Sequence, residues 1–216
     1  MSAFLFVGVI APSFIVAPVS AAIYKIRHWN PSERFFVLYL LLCSIFNALA
    51  ALTAKQNNLS LLHLYTLLEF GILGGFFRMI IVNRAIRTFL LIAIVCFPVF
   101  ATIYAIATHS FMVYNALPRF LSGIVLTLLC IVFLVTELKQ DLQATPGESY
   151  TTFNVIVVIG LLTYFSSCSA LFGLSNYFMV HNSSMKIDSL VWSLHACFMI
   201  LMYLIFTAAY LSIKSR

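Results

Sequence analysis

Hydrophobic residues along the chain gather into seven long runs separated by short polar breaks. The runs span about Ala3 to Tyr24, Phe35 to Ala54, Leu61 to Val82, Thr88 to Thr108, Phe120 to Leu138, Phe153 to Gly173 and Leu190 to Leu211. Each is close to the ~20 residues a helix needs to cross the hydrocarbon of a bilayer. The pattern predicts an all-α polytopic membrane protein, a single seven-transmembrane-helix bundle over residues 1–216. The longest break, Lys139 to Thr152, is too short to fold alone, because independent domains need ~50 residues or more. No attached kinase, cyclase or nuclease domain is expected.

Composition agrees, with 63% hydrophobic and 8% charged residues, and the charges add a direction. Basic residues near helix ends are retained on the cytoplasmic side during insertion. With the N-terminus outside, the inner side collects Lys25, Arg27, Arg34, Arg78, Arg84, Arg87, Lys139, Lys214 and Arg216, and the outer side keeps Lys55, Arg119 and Lys186. The bias predicts N-terminus out and C-terminus in, in a cell inner (plasma) membrane. The net charge of +6 then reads as an orientation signal with some attraction to anionic lipid, and argues for no nucleic-acid partner. No basic residue precedes the first run and three follow it, the reverse of a secretory signal peptide. Pro12, Pro18 and Pro98 are each expected to remove a backbone hydrogen bond and bend their helices. Cys43, Cys96, Cys130, Cys168 and Cys197 all lie within the runs without a CxxC pair, so neither disulfides nor a zinc knuckle are expected. Asn58-Leu59-Ser60 and Asn182-Ser183-Ser184 match the glycosylation pattern on the expected outer side.

Candidate chemistry lies where polar groups interrupt the runs, since an ionisable side chain in hydrocarbon costs ~2.5 kcal/mol or more by insertion scales. Away from the span ends, Glu69 is the one acidic residue and His195 the one clearly embedded histidine. His63 falls at the outer start of the third helix and Glu137 at the inner end of the fifth. At 1.5 Å rise per residue, Glu69 lies ~12 Å, His195 ~8 Å and Asn47 ~10 Å below the outer surface, with Ser166, Ser167 and Ser169 in the outer third of the sixth helix. Tyr65 and Glu69 share a face at i, i+4, as do Ser44 and Asn47 at i, i+3, and Asp188, Trp192 and His195 form one stripe. His63 points some 120° away from Glu69. These positions predict an outward-facing polar pocket lined by Asn47, Tyr65, Glu69, Ser167, Trp192 and His195. The alternative for Asn47 and the serines is interhelical hydrogen bonding without a ligand, and for His195 donation to a backbone carbonyl. Gly71 and Gly75, with Gly74 beside them, allow close helix packing, within the bundle or in a dimer. The 21 Phe and 10 Tyr are read as lipid contact and interface anchors.

The function expected from these residues is a receptor-like or small-molecule- or lipid-binding module, its partners being membrane lipid, the ligand, and a protein docking on the basic inner loops Lys25 to Arg34 or Arg78 to Arg87. No cofactor is implied. A retinal protein is excluded, because the last run carries no lysine for a Schiff base. A membrane-embedded metal hydrolase would need Glu69, His195 and a third ligand, three being the usual number at a catalytic zinc; the remaining acids Asp141 and Asp188 are placed in loops. Ser167 with His195 as base is a weaker enzyme reading. A proton-coupled carrier using Glu69 stays open, although the first and last three helices show no shared motif of the kind internal repeats leave.

The stretch Asn57-Asn58-Leu59-Ser60-Leu61-Leu62-His63-Leu64-Tyr65-Thr66-Leu67-Leu68-Glu69-Phe70, with the later Leu190-Val191-Trp192-Ser193-Leu194-His195, resembles a type of short seven-helix inner-membrane protein of Bacteroidetes-like bacteria. The resemblance spans the bundle and carries no assigned activity or catalytic residues. It implies the same localisation and directs attention to His63, Tyr65, Glu69 and His195.

Overall fold

A computed structural model describes residues 6–53, 59–108, 116–141, 152–181 and 185–213. Lys55, Asn58, Asn182–Ser184, Lys214 and Arg216, named above for charge or glycosylation, lie outside the described residues, as do the side chains of Lys186 and Asp188. Among the described residues the chain is all-helical, with seven helices long and apolar enough to span a membrane. In chain order these are α1 (Phe6–Tyr24), α2 (Pro31–Leu52), α3 (Leu59–Ile80), α4 (Arg84–Ala107), α5 (Ala116–Asp141), α6 (Thr152–His181) and α7 (Met185–Leu211).

The helix starts carry recognisable stop and start chemistry. α1 is assembled from a π turn Phe6–Ile10, a short turn Ala11–Ser13 and a helix Val16–Tyr24, the interruption falling beside Pro12, which cannot donate to the preceding turn. α4 instead runs unbroken through Pro98. Pro31 occupies the first position of α2, where its missing N–H is not needed. The buried Glu33 carboxylate accepts the Asn30 backbone N–H at 2.6 Å, half of a capping box. Asn83 caps α4, its side-chain oxygen accepting from Ala85 and Ile86.

Several helices run beyond the apolar runs, α6 as far as His181, and three of these boundaries bear on charged residues. α5 begins at Ala116, because Pro118 is tolerated in a first turn, and so Arg119 is a helical residue buried in the bundle. It does not belong with the outer loop charges. Likewise α5 reaches Asp141 and α7 starts at Met185, which places Asp141 and Asp188 in helices and corrects their assignment to loops.

α5 with α6 and α6 with α7 are the most extensively packed pairs; α1 lies on α7, α2 on α3, and α3 on both α4 and α5, leaving α4 at the edge. Small residues set two of these approaches. A Cβ on Gly123 would collide with Ser169 Oγ, so glycine lets α5 and α6 meet. A Cβ on Gly75 would come within 2.8 Å of the Phe35 ring of α2, while nothing lies within 4 Å of one on Gly71. Gly75 therefore serves packing inside the bundle. The core nearest the start of α2 is aromatic: Phe36 is fully buried, with ring centroids of Phe206 at 4.9 Å, Phe76 at 5.1 Å and Phe153 at 6.1 Å. Tyr210 closes this end, its ring edge-on to Phe153 at 4.9 Å and its hydroxyl donating to the Glu33 carbonyl at 3.2 Å. The outer surface of the bundle exposes many Leu, Ile and Val side chains, especially along α4.

Candidate functional site

Spacing of four along α3 puts Tyr65 and Glu69 one above the other, and the Tyr65 hydroxyl donates to Glu69 Oε1 at 2.8 Å. On α2 the same spacing aligns Tyr39 and Cys43. Tyr39 donates to that oxygen at 3.2 Å, and the Cys43 thiol lies 3.4 Å from the Tyr65 hydroxyl. The second carboxylate oxygen, Oε2, is paired with Nη1 of Arg119 from α5. Glu69 is 0% and Arg119 5% exposed. A buried carboxylate needs a charge partner and hydrogen-bond donors on both oxygens to offset the loss of water. Here one guanidinium and two phenols supply that match from three helices. The Arg119 guanidinium also lies 5.3 Å from the centre of the Tyr65 ring, within cation–π range.

Beyond Arg119 the network continues across the bundle. Arg119 Nη2 donates to the Tyr164 hydroxyl of α6 at 3.3 Å. The Tyr164 ring lies 5.6 Å from that of His195 on α7. His195 Nδ1 is 3.2 Å from the Cys168 sulfur, and its ring stands edge-on to Trp192 at 5.9 Å. Five helices, α2, α3, α5, α6 and α7, thus meet through one line of polar side chains.

Four of the six residues named from sequence belong to this line: Tyr65 and Glu69 at its centre, Trp192 and His195 at its far end. Asn47 reaches the line at one remove, donating from Nδ2 to the Tyr203 hydroxyl of α7 at 3.3 Å, and Tyr203 is in turn a hydrogen-bond partner of Cys43. Ser167 is half-buried, and α6 reaches the network through the neighbouring Tyr164 and Cys168. Ser44 and Ser169 turn their hydroxyls to their own helix backbones, at Leu40 O and Phe165 O. Arg119, Tyr39, Tyr164, Cys43 and Cys168 were missed. The i, i+4 pairs Tyr39/Cys43 and Tyr164/Cys168 were visible as shared faces. Arg119 carried no such signal, lying beside a proline at the edge of its run.

Between α3, α4 and the first turn of α5 lies a cleft of about 50 Å³, lined on its polar side by His63, Thr66, Thr102 and Arg119. His63, which faces away from Glu69 along α3, therefore borders the residue that holds it. Among the described residues no three His, Cys, Asp or Glu side chains converge as a metal site would require. No family model, no curated protein and no solved structure matches the chain.

Proposed function

We propose that this chain is an integral membrane binding module, receptor-like in construction, that takes a small molecule or lipid at the Glu69–Arg119 centre. The observation that carries this reading is the buried pair itself. An ion pair taken out of water rarely adds stability over well-packed apolar residues of the same volume. Ionisable groups inside membrane helices are accordingly concentrated at sites of binding and transport. Because the pair draws on α2, α3, α5 and α6 through Tyr39, Tyr65 and Tyr164, a ligand that changed its geometry would bias the packing of four helices together.

In this proposal the bundle sits in the cell inner membrane with its N-terminus outside, which puts the Arg119 cleft toward the outer face and the basic ends of α2, α3 and α4 toward the cytoplasm. There Arg34, Arg78, Arg84 and Arg87 form the docking ground for a protein partner. A proton-coupled carrier is the second reading, favoured by the same carboxylate: proton loading of Glu69 would release Arg119. The metal hydrolase reading lacks a converging ligand set among the described residues.

The test is native mass spectrometry of protein extracted with its own lipids. Wild type should retain a bound molecule that Glu69→Gln and Arg119→Met each lose, while a Tyr24→Phe control on the exposed surface keeps it. Retention of nothing by wild type, with both variants altering stability alone, would make the pair a packing element and overturn the reading.

A further inference from the structure

Two neighbouring helices carry the same outward pattern. On α3, Leu64, Leu68, Gly71, Gly75 and Arg78 recur at helical spacing and form one stripe. Leu64 and Leu68 are 47% and 41% exposed, and Arg78 is exposed at the end of the stripe. On α2 the stripe is Arg34, Leu38, Leu41 and Ile45, with the arginine exposed and the aliphatics 47%, 47% and 56% exposed. The two helices touch beside these arginines, because Gly75 packs against the ring of Phe35, the residue after Arg34. Further along α3, a Cβ on Gly71 would meet nothing within 4 Å. The surface is therefore notched there, ~10 Å from Arg78 at 1.5 Å per residue.

On the other side of α3, where Gly74 faces Ile94, α4 adds Arg84 and Arg87, both exposed at the same end of the bundle. None of these four arginines has an ion-pair or hydrogen-bond partner for its side chain among the described residues. The nearest acid in sequence, Glu33, is buried and turned to the cap of α2.

We propose that this face of α2 and α3 binds an anionic glycerophospholipid, with the phosphate on Arg34 and Arg78 and one acyl chain running along the stripes to the Gly71 notch. Guanidinium forks match phosphate oxygens, and Arg84 and Arg87 add to the field that draws an anionic headgroup to this end. The apolar stripes distinguish a lipid from an acidic protein, since the ligand has to offer an anion and hydrocarbon on one surface. The site is separate from the Glu69–Arg119 centre. A protein partner at these arginines would dock over the bound headgroup.

Native mass spectrometry of delipidated protein, titrated with phosphatidylglycerol or with phosphatidylcholine of the same acyl chains, counts bound lipids one at a time. Phosphatidylglycerol should bind about tenfold more tightly, a factor that two basic residues at a headgroup can supply. Arg34→Gln/Arg78→Gln should abolish this preference. Arg27→Gln/Lys139→Gln removes the same charge from exposed positions at the same end and should keep most of it. Gly71→Phe has open space for its side chain; it should weaken phosphatidylglycerol binding while leaving thermal stability unchanged. Absence of a preference in wild type would overturn the proposal and leave the arginines to an acidic protein. Equal losses in the two double variants would also overturn it, reducing the attraction to the diffuse field of a basic surface. Wild-type affinity in Gly71→Phe would remove the seat for the acyl chain, and the site with it.

Discussion

The two halves of the core are held by opposite means. Around Phe36 the contacts are rings against rings, with Phe76, Phe153 and Phe206 filling the space between α2, α3, α6 and α7. The buried polar group there, Glu33, is spent on capping α2. Around Glu69 the helices are instead joined by a salt bridge and phenolic hydroxyls. The aromatic half depends on shape and volume, which neighbouring side chains can partly recover after a change. The charged half depends on matched partners, and removing one leaves another buried without a counterpart. Tyr39 belongs to both, its ring 5.4 Å from Phe36 and its hydroxyl on Glu69.

The largest effect should come from splitting the pair. Arg119→Met strands the Glu69 carboxylate and is expected to destabilise the fold by about 3–5 kcal/mol, with the double change Glu69→Gln/Arg119→Met recovering most of it. Reversible unfolding in bicelles measures both; a single variant no worse than the double would show that the charges are not coupled. Tyr39→Phe comes next. It keeps the ring against Phe36 and removes one hydrogen bond to a charged group, for a loss of about 1.5–3 kcal/mol. Phe36→Leu should be smallest, about 1–1.5 kcal/mol, because an apolar core tolerates a change that keeps most of its volume. If Phe36→Leu proved more damaging than Tyr39→Phe in the same assay, the contrast between the two halves would be reversed.

Much of the site was legible before any tertiary structure, and the parts that were not share a cause. Glu69 stands out because a carboxylate inside an apolar run needs a reason, and Tyr65 follows from its spacing. On α6 the sequence points to Ser167, and Cys168 is the residue that meets His195. The two differ by one position, about 100° around a helix. Runs that are apolar on every side give no hydrophobic stripe to say which face turns inward, so the rotation of α6 could not be read. Arg119 reads as an outer-side charge in the sequence for a related reason: a basic residue at the edge of a run looks the same whether it points to water or back into the bundle.

The sequence by itself determined the seven helices and the rarity of charge within them, since these follow from the continuity of apolar residues; where each helix starts and stops it gave only to within a turn or two. Tertiary structure alone decided that Glu69 is answered by Arg119, 50 positions away, and by Tyr39, 30 positions away. Which helices are neighbours, how each is rotated, and at what depth they meet are set by packing between helices, and a partner for a buried charge is found only after all three are fixed.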